Sequence, residues 1–161
     1  MNRVFAYIDG YNLYHGLKDK QWKKYLWLDI PALLSSLIKD IGTLQKVFYF
    51  SSPSYKQASE NRRRIYLKAL EVTCRNMGIW FYKKDGRFRP NTIRCYSCND
   101  IAKCDSCKEI LEFYHEKETD VNIAVQMLLN ANNDDFDTAL LVTEDSDQVG
   151  TIKAIRKICP E

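Results

Sequence analysis

Carboxylates recur where apolar segments give way to turns. Asp9 ends the apolar run at residues 4–8, Asp120 opens a helical segment with Glu118 beside it, and Asp145 and Asp147 follow the run at 139–143. In an open parallel sheet, ligands bind outside the carboxyl ends of the strands, so these acids are expected to meet in one pocket. Crowded carboxylates repel one another and coexist chiefly when a divalent cation neutralises them. An all-oxygen set suits Mg²⁺ or Mn²⁺ better than zinc. Such an ion polarises a phosphodiester, activates water and stabilises the departing oxygen, which makes hydrolysis of a nucleic-acid backbone the expected chemistry. Asp9, Asp120 and Asp145 are the expected ligands, with Asn12 and Asp147 assisting. Asn12, three residues after Asp9, adds hydrogen-bonding capacity without charge, and Lys117 is placed to steady an anionic transition state. Each acid alone has an ordinary use as a helix cap or loop residue; their joint placement points to a site. Asp134, Asp135 and Asp137 read as a solvated loop.

Four of the six cysteines form two C-x-x-C pairs, Cys95 with Cys98 and Cys104 with Cys107, five residues apart. Each pair can wrap one side of a tetrahedral ion, and four thiolates make a closed structural zinc site. Disulfides or redox chemistry are the alternatives, disfavoured without a secretory or thioredoxin-like context. Strand-like segments at 87–94 and 109–114 flank the pairs, so zinc is expected to clamp a hairpin arm inserted over residues 85–116, too small to own a core. Cys74 and Cys159 read as packing residues, and His15 and His115 as surface residues.

The basic residues Arg62, Arg63, Lys83, Lys84, Arg87, Arg89 and Arg94, with Arg64, are expected to line a path for a phosphate backbone. For the Arg62–Arg64 run, a merely solvated helix face is an equal reading. Tyr11, Tyr14, Tyr55 and Tyr96 are candidates for stacking unpaired bases, and Trp22, Trp27 and Trp80 for core or rim packing. A net charge of +3 is too mild to identify a polyanion-binding protein by itself.

The elements that must position these groups follow from periodicity. Apolar runs at 4–8, 47–50, 79–82 and 139–143 read as strands. Helical patterns begin near Asn12, run over 30–41 after an Asp29 cap, over 54–77, over 121–129 with Val121, Ala124, Val125, Leu128 and Leu129 as the packing face, and over 149–158. The alternation implies an α/β domain with a parallel, doubly wound sheet flanked by helices. A length of 161 residues fits a single domain. No internal repeat stands out. No apolar run is long enough for a membrane span, and no signal-peptide pattern precedes the first strand, so a cytoplasmic location is expected.

The runs Tyr7-Ile8-Asp9-Gly10-Tyr11-Asn12-Leu13, Lys117-Glu118-Thr119-Asp120-Val121 and Val142-Thr143-Glu144-Asp145-Ser146-Asp147, in this order, resemble the NYN domain family, a branch of the PIN-like nucleases. The resemblance covers most of the chain outside the arm. It implies a PIN-like, Rossmann-like fold, acidic residues that hold Mg²⁺ or Mn²⁺, RNA as substrate, and Asp9, Asn12, Asp120, Asp145 and Asp147 at the site positions. The chain departs from the family pattern at Glu144, where glycine is usual, and at Gln148, where an aromatic is usual. A PIN-like domain is also expected to continue into a fifth strand beyond Glu161. The expectation is therefore a metal-dependent endoribonuclease acting on single-stranded or structured RNA, its arm engaging substrate or a second copy in a homodimer. The alternatives are a non-catalytic RNA-binding or protein-interaction module that keeps the fold, and a nuclease for DNA or flap structures.

Overall fold

The computed structural model describes residues 2–159. Four parallel strands form the central sheet in the order β3-β2-β1-β6: β1 (Asn2–Asp9), β2 (Gly42–Ser51), β3 (Trp80–Asp85) and β6 (Thr138–Val142). Because side chains alternate across a strand, β1 serves two cores. Val4, Ala6 and Ile8 face α2 (Ile30–Leu37) and α3 (Gln57–Asn76), meeting Ile30, Leu34, Leu67, Leu70 and Cys74. Phe5 and Tyr7 face α4 (Thr119–Asn132) and α5 (Val149–Ile158), meeting Ile123, Met127, Ala131 and Ile155. The sheet is doubly wound, as the alternation of elements requires. Its order reverses direction between β1 and β6, so the crevice at the switch point is bounded by Asp9 and by the loop that carries Asp145.

Helix boundaries and faces depart from the periodicity in instructive ways. The helix that starts at Ile30 is capped by Asp29, whose carboxylate accepts from Ala32 N at 3.1 Å, but it ends at Leu37 and not at Ile41. Leu33, Leu37 and Ile41 lie exposed, while Ile30, Pro31, Leu34 and Ile38 are buried. Ile65 and Val72 in α3, and Met77 just after it, are likewise exposed. In α4 the inward face is not Val121, Val125 and Leu129, which are exposed, but Ile123, Met127 and Ala131. Both sets recur at four-residue spacing, so periodicity alone cannot choose between them. The aromatic layer of Phe5, Tyr7 and Phe48 decides, because Asn130 then donates to the buried Tyr7 hydroxyl at 2.8 Å. Trp22, Trp27 and Trp80 are all more than half exposed and contribute nothing to the core. Cys74 is fully buried, as expected, whereas Cys159 is exposed. The acidic loop is not wholly solvated: Asp137 accepts from the Arg3 guanidinium at 2.7 Å, which holds its carboxyl down near a pKa of about 2.

The arm leaves the sheet after Asp85 as a two-stranded antiparallel ladder, β4 (Arg87–Thr92) with β5 (Glu112–Lys117). Its far end contains a repeat that the sequence pattern had not suggested. The Cys95 amide donates to Asp100 O and the Asn99 amide to Cys95 O; nine residues on, Cys104 and Lys108 repeat both bonds with Glu109 and Cys104. Bridges Arg94↔Ile101 and Lys103↔Ile110 repeat as well. Asn99 and Lys108 both take φ of 61°, the left-handed conformation that closes each turn. The arm's tip is thus one knuckle duplicated in tandem.

Candidate active site

Asp9 anchors the crevice. It is 1% exposed and caps α1 (Gly10–Asp19), accepting from Asn12 N at 3.0 Å and from the Asn12 amide at 2.7 Å. Thr143, just after β6, donates to Asp9 Oδ2 at 3.1 Å, the oxygen that the Asn12 side chain also reaches, and accepts from Asp145 N at 3.1 Å. One hydroxyl therefore couples the loop after β6 to the end of β1. The chain can turn into α1 directly after Asp9 only because Gly10 has no side chain: a Cβ there would collide with the Tyr49 ring.

Asp9, Asn12, Asp120 and Asp145 line one cavity of about 220 Å³, together with Tyr11, Tyr114, His115 and Glu116. Asp147 is exposed at its rim and lies outside the lining, while its backbone N–H donates to Asp145 Oδ1 at 2.9 Å. Burial, then the negative charges of Asp145, Asp9, Glu116 and Asp147, push the Asp120 carboxyl up from 3.8 to about 6. Burial also raises Asp9, against the hydrogen bonds it accepts. Among the described residues, no three His, Cys, Asp or Glu side chains converge tightly enough to hold a metal ion as they stand. The donor set nevertheless fits a hard divalent cation: all oxygens, crowded enough to raise Asp120, in a cavity open to a ligand.

Glu116 is the site residue that sequence reasoning missed. The second strand of the arm was expected to end at Tyr114, but it runs to Lys117 and carries Glu116 into the cavity wall. There Glu116 accepts from Ser52 Oγ at 2.7 Å and from Thr119 Oγ1. Gly86 permits this approach, since a Cβ at that position would sit 2.6 Å from Glu116 Oε1 and 2.7 Å from Ser52 Oγ. The register of an arm is set by long-range pairing, which a local strand pattern does not encode. Thr143 was missed too, and its place in the quoted motif beside Asp145 was the available signal.

Other expected groups fall outside the cavity. Glu118 adopts φ of 81° and turns outward to pair with Arg87. Glu144 is exposed and lies on the α1 side near Gly16 and His15, so it is no ligand of the cluster. Gln148 is 3% exposed and its amide donates to Asp120 O at 3.1 Å, tying the start of α4 to the loop after β6. His115 is exposed, as read, and also lines the cavity. Lys117 is exposed and does not line the cavity.

The basic residues do not form one continuous path. Arg63 is committed to Glu60 at 2.9 Å and Asp85 at 2.8 Å, and Arg87 to Glu118. Lys83 and Arg64 line a separate broad hollow against α3. Lys84, Arg89 and Arg94 are exposed, with Arg94 donating to Asn99 O inside the arm. Arg62 and Arg63 both line an aromatic groove beside the acidic cavity, and of the two only Arg62 is in no ion pair among the described residues.

The raised Asp120 gives a signed expectation. Between its ordinary 3.8 and about 6, the folded chain binds more protons than the unfolded one, so metal-free stability falls as pH rises through that window. Thermal unfolding should show a shallower pH slope there for Asp120→Asn than for the wild type. Mg²⁺ or Mn²⁺ should raise the wild-type Tm above the window, by binding the folded state, and have little effect below it. Identical slopes for the two proteins would show that Asp120 is not in a crowded carboxylate field.

No curated protein and no solved structure matches the chain. The NYN domain family matches it over residues 3–157, spanning the switch-point crevice, the arm and all three acidic segments. With nearly the whole chain matched, the protein belongs to the NYN domain family.

Proposed function

We propose that this protein is a ribonuclease that hydrolyses RNA phosphodiester bonds at the switch-point cavity, using Mg²⁺ or Mn²⁺. NYN domains are PIN-like and are generally nucleases. The observation that carries the reading is the convergence of Asp9, Asp120, Asp145 and Glu116 on a cavity where burial, and then mutual repulsion, raise Asp120. A divalent cation held by Asp9, Asp120 and Asp145, with Glu116 as a fourth acid, would supply the charge that polarises the phosphodiester and stabilises the departing oxygen. Asn12 and Thr143 hold Asp9 in place, and Gln148 holds Asp120 through its carbonyl. Asp147 keeps negative charge at the rim.

A structural zinc ion in the arm belongs to the same proposal. Backbone N–H groups of Cys98 and Ser97 lower the Cys95 thiol, and those of Cys107 and Ser106 lower Cys104, so each knuckle favours the thiolate that zinc requires. Tyr114 and Glu116 stand at the base of that arm, and fixing it would fix one wall of the cavity.

The test is cleavage of matched RNA and DNA strands by the purified chain. RNA should be cut only with Mg²⁺ or Mn²⁺ present, and Asp145→Asn should abolish cutting. Cleavage that survives Asp145→Asn would sink the reading, as would equal cleavage of both strands for its RNA half.

A further inference from the structure

Beside the acidic cavity lies a second one, of about 400 Å³, and the two share Tyr11 and Tyr114 as a common wall. Its character is the opposite of its neighbour's. The sides are aromatic: Tyr14, Trp27, Tyr55 and Tyr66 join the shared pair, with Phe88 from the base of the arm. Tyr55 and Tyr114 stack with ring centroids 4.7 Å apart at 12°, and Phe88 packs edge-on to Tyr55 at 6.1 Å. Trp27 and Tyr55 are more than half exposed, so ring surface is offered to a ligand and not spent on the core. Ser51, Ser52 and Ser54 add hydroxyls to the lining. Lys18, Lys56 and Arg62 are exposed on this groove, and none of the three is in an ion pair among the described residues.

Flat rings with hydroxyls between them and unpaired cations around them match a nucleobase attached to phosphate. We propose that this groove binds one unstacked base of the RNA strand, the nucleotide next to the phosphate being cut. Resting on the nuclease reading, the proposal assigns the ribose to the shared Tyr11–Tyr114 wall and the scissile phosphate to the carboxylate side. A base within a duplex reaches such a groove only by leaving its stack, so the geometry selects single-stranded or looped RNA. Phe88 and Tyr114 come from β4 and β5, which makes the arm part of the substrate site and not a remote appendage.

Mononucleotides test this apart from catalysis, since they contain no phosphodiester to cut. The full chain is titrated with AMP, GMP, CMP and UMP, and with ribose 5-phosphate as the base-free control, following tryptophan fluorescence. At least one mononucleotide should quench the signal and bind about tenfold or more tightly than ribose 5-phosphate, the range that base–aromatic stacking supplies. The quench should vanish in Trp27→Phe, and Tyr55→Ala, at an exposed position, should weaken binding about tenfold with unchanged Tm. A base-free sugar phosphate that binds as well as every mononucleotide overturns the proposal. So does an aromatic peptide that quenches Trp27 when no mononucleotide does. Mononucleotide binding by a chain that cuts no RNA leaves the groove standing and refutes the nuclease. RNA cleavage by a chain that binds no mononucleotide more tightly than ribose 5-phosphate does the reverse.

Discussion

Asp9→Asn should lose RNA cleavage by about a thousandfold and yet lose no thermal stability in the absence of metal. The two halves come from one carboxylate. As a ligand, Asp9 supports charge stabilisation worth several kcal/mol in the transition state, and at about 1.36 kcal/mol per decade that is roughly three decades of rate. As a structural residue, Asp9 caps α1 through Asn12 N at 3.0 Å. Asparagine caps a helix as well as aspartate does. The buried side chain also bonds the Asn12 amide and Thr143, and hydrogen bonds to a charged group are worth about 1.5–3 kcal/mol. Burial and the Glu116 charge oppose them, and the net direction for Asp9 is upward, so the fold holds its ionised form less well than water does. Removing the charge therefore relieves the metal-free protein. The Asn12 amide can turn to present its oxygen to the new amide. Thermal unfolding without metal should give the variant a Tm equal to or above the wild type, and only the wild type should gain Tm on adding Mg²⁺ or Mn²⁺. A variant that unfolds early would make Asp9 chiefly a structural cap, and one that still cuts RNA would remove it from the chemistry.

The contrast between Asp9 and Glu116 shows which parts of the site are legible in a sequence. Asp9, Asn12, Asp120 and Asp145 sit at ends of locally encoded elements, where a continuous apolar run stops or a helical pattern starts. Their convergence then follows from sheet topology alone. Glu116 depends on how the arm returns: its strand extends three residues past the apolar pattern, and Gly86 must be bare for the approach. Neither condition has a local signal. The same distinction governs the helices. That α4 and α5 exist was readable, and the bounds of α5 fell at the residues expected, 149–158. Which face of α4 turns inward was not readable, because Val121, Val125 and Leu129 compete at the same spacing as Ile123, Met127 and Ala131, and the choice is made by aromatic side chains of β1 and β2, far away in the chain. Basic residues were the least legible. A run of arginines says nothing about which one meets a carboxylate, and Arg63 is spent on Glu60 and Asp85 while its neighbour Arg62 faces the aromatic groove.

Zinc should prove to be the arm's main source of order, and Cys104→Ser should remove it. The β4–β5 ladder is six residue pairs long, and an isolated two-stranded hairpin is marginal in water at best. Little apolar surface compensates, since along the arm only Gly86, Phe88, Ala102, Cys104 and Glu116 are half-buried and the rest are exposed. A closed four-thiolate site contributes apparent binding energy on the order of 10–16 kcal/mol, far more than the ladder can. The tandem knuckles lower the Cys95 and Cys104 thiols through the same backbone bonds, and since among the described residues the cysteines do not gather into one metal-holding group, binding one ion requires the two pairs to move together. Elemental analysis should find about one zinc per chain in the wild type, and Cys104→Ser should weaken zinc binding at least about a hundredfold. Limited proteolysis should then cut the variant between residues 93 and 111 while the sheet survives, because no core residue of either cluster lies in the arm. RNA cleavage should fall as well, since Tyr114 and Glu116 reach the cavity from β5. Half a zinc per chain, accompanied by a dimer that dissociates on chelation, would instead place one ion between the arms of two copies. A wild-type arm that resists protease with no zinc bound would leave the ladder and the knuckles to hold it alone and overturn the assignment.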